Sequence, residues 1–223
     1  MISIKGFFQC FSLSLLMAGA AHAQKAPFDI MSLKPGDNRA QFEKIAAEQK
    51  CRIVPSSFFS STLEDGTEWH YYYGTECAPV NPDGNVMSRD ISVMLSSPKS
   101  KETIYMIGSS VTYKKEAGPN SEDYLDEVFA LYGDPDGQFQ DARNKDEGYF
   151  WIRNQAEGNE VPYLECMLQP NNVLDLDYLF KEECGTILTL RIHKEDENDS
   201  ILKWSSLQLV DHRLASKVRL MDD

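Results

Sequence analysis

The chain has four cysteines after residue 23, where the predicted signal peptide ends, and their number and spacing limit the bonds that they can form. They are Cys51, Cys77, Cys166 and Cys184, and an even number of cysteines in an exported chain indicates disulfide bonds. We expect local pairing, Cys51 with Cys77 and Cys166 with Cys184, because each pair lies beside strand-like runs and closes a loop of about 20 to 25 residues. The other two connectivities stay open. Metal binding is the competing interpretation, but no Cys-x-x-Cys spacing supports it.

Nucleophilic catalysis would need a base beside a serine or a cysteine. The three histidines after residue 23 are His70, His193 and His212, and none lies in a Gly-x-Ser-x-Gly or similar signature. His70 falls in an aromatic run and His193 ends a strand-like run, so we interpret both as ordinary sheet residues. We therefore predict no catalytic residue and no cofactor.

Acidic residues could supply a pair of catalytic carboxylates. The chain has 35 of them, so close pairs such as Asp175/Asp177 and Glu182/Glu183 arise easily without a function. A glycosidase needs two carboxylates placed in one cleft. A hydrolase that acts on an envelope polymer with such a pair is the alternative function.

Two acidic turns carry oxygen atoms that could bind calcium. An EF-hand loop needs glycine at its sixth position and glutamate at its twelfth, where the second turn has Phe139 and Lys145. We interpret both segments as Pro-Asp-Gly turns and predict no metal site. The oxygen-bearing residues are Asn81, Asp83 and Asn85 in the first turn, and Asp134, Asp136, Gln138 and Asp141 in the second.

An aromatic run, WHYYYGT, has the alternation of a β-strand. Trp69, Tyr71 and Tyr73 would then share one face, and His70 and Tyr72 the other. We expect the bulkier first set to pack inward. We predict Tyr72 and His70 as the binding residues, because an outward aromatic patch can recognise another protein.

Secondary structure must position the side chains described above, and the sequence in the middle of the chain predicts a helix. Apolar residues from Leu125 to Tyr132 recur with helical spacing. Asn120 or Ser121 can cap its start. Gly133 suits the positive φ that ends a helix.

A similar helix is predicted to begin at Asp37 or Asn38, and several strand-like runs with short turns follow each helix. This order predicts an α+β fold with antiparallel sheet. We predict two tandem helix-plus-antiparallel-sheet lobes, 24–117 and 118–215, stapled by disulfides. A frayed tail, 216–223, would follow.

The first 23 residues have the features of a secretory signal peptide. A short basic start contains Lys5, an apolar run follows, and Ala21-His22-Ala23 provides a small-x-small cleavage site before Gln24. No other apolar run approaches the ~20 residues of a membrane span. We therefore predict a periplasmic protein, exported and soluble after cleavage.

The net charge of the chain is −13, and loss of Lys5 with the signal peptide makes it one unit more negative. Such a charge argues against nucleic acid and anionic membranes as partners, since both would repel the protein. It does not identify a partner or an oligomeric state.

Several short motifs carry a family resemblance across most of the chain after residue 23. They are FDIMSLKPG, SEDYL, LYGDP, Cys184-Gly185 and Leu209-Val210-Asp211. In this combination the chain resembles a group of uncharacterised periplasmic proteins of proteobacteria. Its architecture also resembles the tandem helix-plus-sheet modules of the β-lactamase-inhibitor-protein and outer-membrane assembly lipoprotein kind.

Those modules bind other proteins and catalyse nothing, so the resemblance implies a binding role. This chain lacks a lipidation cysteine after the predicted signal peptide, and it has no matching inhibitory loop. No functional residue is therefore transferred. We expect a non-enzymatic binding or envelope-accessory protein whose partner is another protein.

Overall fold

The structure is a computed structural model, and it describes most of the chain after residue 27. The predicted signal peptide, 1–23, lies outside the described residues, so its cleavage stays a prediction. The described ranges are 28–56, 59–77, 84–140, 146–155, 163–166, 177–194 and 200–222.

Ten strands and four α-helices make up the regular structure of these ranges. The helices are α1 (Arg39–Glu48), α2 (Ser121–Tyr132), α3 (Tyr163–Cys166) and α4 (His212–Asp222). The strands are β1 (Cys51–Pro55), β2 (Ser60–Thr62), β3 (Glu68–His70), β4 (Tyr72–Cys77), β5 (Val86–Leu95), β6 (Ile104–Tyr113), β7 (Gly137–Gln140), β8 (Glu147–Arg153), β9 (Thr186–Lys194) and β10 (Leu202–Asp211). Short 3₁₀ helices occupy Pro98–Ser100, Asp177–Phe180 and Glu182–Cys184.

Eight of the strands form one antiparallel sheet in the order β1-β4-β5-β6-β10-β9-β8-β7. The strands that follow α1 make one half and those that follow α2 make the other, and the halves meet where β6 pairs with β10. β2 and β3 form a separate two-stranded sheet. The predicted α+β class with antiparallel sheet is confirmed, whereas the sheet runs without a break across the predicted lobe boundary.

The two predicted helices begin and end as their sequences indicate. Asn38 caps α1, and its side chain and that of Gln41 bond each other's backbone N–H in a capping box. Asn120 caps α2 by accepting from two backbone N–H groups. Gly133 ends α2 with φ at 85°, a conformation that costs glycine little.

Both helices cover the same face of the sheet and enclose the main hydrophobic core. Phe42 of α1 and Val128 of α2 are buried against aliphatic side chains of the central strands, such as Ile107. Trp151 of β8 joins this core and donates a hydrogen bond of 2.8 Å from Nε1 to the carbonyl of Gly133. This bond ties the end of α2 to the sheet.

Residues 216–222 lie in a helix, whereas a frayed tail was predicted for 216–223. α4 follows β10 directly, and the Asp211 carboxylate accepts a hydrogen bond from the Leu214 N–H, which is a cap at its start. Ala215 and Val218 are buried against the second face of the sheet, in a cluster with Met106. The tail prediction was wrong because this apolar stripe finds a partner only on the folded sheet.

Both disulfides follow the predicted local pairing. Cys51 and Cys77 are bonded across the antiparallel pair of β1 and β4. Cys166 of α3 is bonded to Cys184, which is fully buried. In the described part of the chain, no helix is long and apolar enough to cross a membrane.

The aromatic run is divided between two sheets and is not one strand. β3 ends at His70 and β4 begins at Tyr72. Between them, the Tyr71 N–H donates to the Phe59 carbonyl and the Tyr71 carbonyl accepts from Leu95 N–H, at 2.7 and 2.8 Å. The chain changes sheet at Tyr71, so the simple alternation of faces does not hold across this residue.

Candidate functional site

The second face of the large sheet is covered at one end and open over its centre. α4 and the nearby 3₁₀ helix Asp177–Phe180 cover the end that contains Met94, Met106 and Val210. Beyond them, side chains of β4, β5, β6, β9 and β10 line an open groove of about 540 Å³. We call this feature the sheet groove.

One row of directly opposed residues crosses the sheet groove from acid to base. Asp90 of β5 faces Ser110 of β6, Ser110 faces Ser206 of β10, and Ser206 faces Arg191 of β9. All four residues line the groove. Two opposite charges therefore lie three strands apart, with two small hydroxyl side chains between them.

The neighbouring row keeps the floor of the sheet groove low. It runs from Gly74 through Ser92 and Gly108 to Gln208 and Thr189. A side chain on Gly108 would place its Cβ 2.5 Å from the Ser92 hydroxyl oxygen. Gly74, Ser92 and Gly108 are small and leave room above β4, β5 and β6 for a bound group.

The surroundings of the Asp90 carboxyl oppose its ionisation. Burial raises its pKa above the ordinary value, and the nearby Glu76 raises it further because two negative charges repel. A hydrogen bond from Ser110 acts in the opposite direction and is the smallest of the three effects. A cation at this end of the groove would relieve the repulsion.

Arg191 is held in place by an aromatic ring. Its guanidinium lies 5.8 Å from the ring centroid of Phe139 on β7. Phe139 lies over Gly148, the residue directly between it and Arg191 in the sheet, and a Cβ on Gly148 would collide with the ring. Phe150 covers Gly137 in the same way, a cross-strand aromatic–glycine pair that pins register.

Arg191 forms no ion pair with a carboxylate among the residues that the structure describes. A guanidinium is a rigid fork that matches a carboxylate with two hydrogen bonds. Arg191 is therefore able to donate hydrogen bonds to an external carboxylate.

A histidine–carboxylate pair lies on the same sheet face, at the end opposite to α4. His193 Nδ1 is 2.7 Å from Oδ1 of Asp146, and the carboxylate is nine-tenths buried. Trp204 is the residue directly opposite His193 on β10, and it lines the sheet groove. The bond fixes the imidazole ring beside this tryptophan.

The structure separates the two residues predicted to form a binding surface. Tyr72 lines the sheet groove, where its ring packs at 5.7 Å from the ring of Phe59. His70 belongs to the two-stranded sheet, and its Nδ1 lies 3.1 Å from the Ser56 carbonyl oxygen. Its ring lies 6.3 Å from that of the buried Tyr73, so it does not share a face with Tyr72. Tyr72 therefore belongs to the candidate site without His70.

The inward set of the aromatic run packs largely as predicted. Trp69 and Tyr73 are buried in the main core, and Tyr71 is half-buried against it.

The second acidic turn has a structural role at Asp136. Its carboxylate accepts a hydrogen bond of 2.6 Å from the Ile152 N–H, which ties the turn to β8. No group of three or more potential metal ligands occurs within the described residues. Asp141 of this turn, and Asn81 and Asp83 of the first, lie outside the described ranges.

Sequence reasoning missed most of the sheet groove. The polar residues that face it occupy alternate positions of the central strands, as in Asp90-x-Ser92 and Ser206-x-Gln208, and this alternation predicts an open sheet face. It does not show that β6 pairs with β10, and only that pairing joins Asp90 to Arg191.

Comparisons of the chain with protein-family models, with curated proteins and with solved structures found no match. The candidate site therefore stands on its own geometry.

Proposed function

We propose that this chain is an exported periplasmic protein, non-enzymatic, that holds another protein on the open face of its large sheet. The observation that supports the proposal is the sheet groove, a shallow polar depression with an acid at one end and, at the other, a guanidinium that has no ion-pair partner among the described residues. Small-molecule sites are enclosed and mostly apolar, whereas this surface is open and polar.

The two halves of the chain act together in this proposal. The predicted lobes would each supply one helix and its strands, and both would contribute to the groove because β6 and β10 pair at its centre. Asp90 and Ser110 come from the first lobe, and Ser206 and Arg191 from the second. Tandem lobes would thus build one surface that neither could present alone.

Aromatic side chains at the margins of the groove can anchor a partner. Tyr72 lines the groove on the side near α4, and Trp204 lines it on the opposite side. Aromatic anchors that become buried in a protein interface carry much of its binding energy. The Tyr72 ring already packs against the ring of Phe59. Tyr72 is therefore pre-organised, and little of its side-chain entropy would be lost on binding.

A photo-crosslinking amino acid placed in the groove tests the proposal. With the crosslinker at Ser206, exported protein in living cells should form one specific adduct with another protein. A matched variant with the crosslinker at exposed Glu48 of α1, on the other side of the sheet, should not form it. The same adducts from both positions, or none from Ser206, would contradict the assignment of the surface.

A second candidate function, a hydrolase acting on an envelope polymer, is favoured by one observation. Asp90 has a raised pKa next to a second carboxylate, Glu76, and a carboxyl kept protonated in a groove can act as a general acid. Glu76, however, is largely exposed and is paired with Arg52. Release of reducing ends from cell-wall polymer, lost on Asp90→Asn, would establish the hydrolase and refute the binding proposal.

A further inference from the structure

The row from Asp90 to Arg191 fixes a distance that a bound group must match. Neighbouring strands of a sheet lie about 4.8 Å apart, and these residues are separated by three strand-to-strand steps. The backbones that carry the two charges are therefore about 14 Å apart. The side chains between them are the short hydroxyls of Ser110 and Ser206.

We propose that the sheet groove binds an extended segment of a partner protein, which crosses the strands and carries a basic and an acidic side chain four residues apart. The basic side chain pairs with Asp90 and the acidic one with Arg191. This inference rests on the proposed protein-binding function and specifies the partner's chemistry.

The spacing of four residues follows from strand geometry. An extended chain rises about 3.4 Å per residue, so residues i and i+4 lie about 14 Å apart, and both point to the same side. Residue i+2 also points to the sheet, where Ser110 and Ser206 leave room for it. A spacing of three would turn one charge away from the groove, and a spacing of two would reach only half the distance.

A helical segment with the same four-residue spacing does not fit the two charges. Residues i and i+4 of a helix lie about 6 Å apart, less than half the distance between the strands that carry Asp90 and Arg191. A four-residue spacing therefore specifies an extended occupant.

Charge complementarity at the two ends supports this occupant. Asp90 and Glu76 repel each other, so a cation between or above them removes a cost that the free protein carries. Arg191 is held by Phe139 and has no carboxylate partner in the described part of the chain.

Synthetic peptides test the inference on the full mature protein. The probes are fluorescent nine-residue peptides, acetylated and amidated at their ends, with one Lys and one Glu in a Ser/Thr/Gly background. The Lys and Glu are two, three or four residues apart. We expect the four-residue spacing to bind about tenfold more tightly than the others in fluorescence anisotropy.

Charge reversals on the protein test the two ends. Arg191→Glu and Asp90→Lys should each weaken binding of the four-residue peptide about tenfold. The double variant should recover much of it, because the peptide can bind in the reversed direction. Lys203→Glu, an exposed residue of β10 outside the groove lining, is the matched control and should change binding less than twofold.

The other outcomes overturn either the inference about the occupant or the proposed binding function. Equal binding of all spacings, no binding of any probe, or no effect of Arg191→Glu in a variant with an unchanged thermal melt overturns the inference and leaves the crosslinking test of the binding function standing. Tighter binding of unblocked tripeptides, abolished by blocking their termini, identifies a short free peptide as the ligand and also overturns it. Cleavage of a probe refutes the binding function itself.

Discussion

His193 of β9 and Asp146 form a cross-strand pair in which Nδ1 of the imidazole lies 2.7 Å from Oδ1 of the carboxylate. The next pair along the same strands, Lys194 with Glu147, has the same separation of 2.7 Å, but its carboxylate is more exposed than that of Asp146. Two bonds of equal length in different surroundings allow their contributions to stability to be compared.

Double-mutant cycles should give different coupling energies for the two pairs. Removing His193 leaves the buried Asp146 carboxylate without its partner, so we expect His193→Ala to lower the free energy of unfolding by about 1 to 3 kcal/mol. The coupling energy of Lys194 with Glu147 should be below about 1 kcal/mol, because solvent screens it. Urea unfolding of the single and double alanine variants measures both, and a larger coupling for the exposed pair would contradict this ranking.

Asp90→Asn should stabilise the protein at neutral pH. Burial and repulsion from Glu76 raise the pKa of Asp90 in the folded state, so ionisation of this residue opposes folding. Its favourable contribution is complete below the unfolded-state pKa near 4 and is lost as the pH rises through the higher folded-state pKa. The variant's advantage in chemical unfolding should therefore be present at pH 7 and absent at pH 3.

A wild-type protein that is as stable as Asp90→Asn at pH 7 would show that the carboxylate carries no such cost. Because Asp90 lines the sheet groove, the substitution is expected to exchange binding for stability, a common property of functional sites.

Tyr72→Ala should destabilise the protein, because Tyr72 packs against Phe59 and the cluster under α4. Loss of a half-buried aromatic ring is expected to cost about 1 to 3 kcal/mol. Tyr72→Phe keeps the ring and should leave the thermal midpoint within a few degrees of the wild-type value. A binding defect in Tyr72→Phe at unchanged stability would therefore assign the hydroxyl to the partner.

Val218→Ala should show how much the packing of α4 contributes to the stability of the protein. Val218 is 5% exposed and packs against the sheet, so truncation should lower the free energy of unfolding by about 1 to 2 kcal/mol. Lys217→Ala, at an exposed neighbouring position of the same helix, should change it by less than about 0.5 kcal/mol. Equal effects of both substitutions would mean that the C-terminal segment does not pack as a helix.

Export should leave a mature protein that begins at Gln24. The basic, apolar and small residues of 1–23 have the order that signal peptidase recognises. Mass spectrometry of protein isolated from the periplasm measures the N-terminus directly. Recovery of the exported protein with Met1 intact would refute the prediction.

The sequence by itself determined the ends of the two main helices and favoured the local pairing of the cysteines. Capping residues such as Asn38 and Asn120, and the glycine that ends α2, act within a few residues of the backbone that they satisfy. The pairing of Cys51 with Cys77 was expected because the two are only 26 residues apart and lie beside strand-like runs, but the other connectivities stayed open until the pairing of β1 with β4 was known.

Only the tertiary structure decided what covers each face of the sheet and which strands meet at its centre. The apolar stripe of α4 was in the sequence, but its partner, the cluster around Met106, lies far away along the chain. Asp90 and Arg191 are joined in one row by the pairing of β6 with β10. That pairing depends on side-chain packing between distant segments, which local periodicity does not encode.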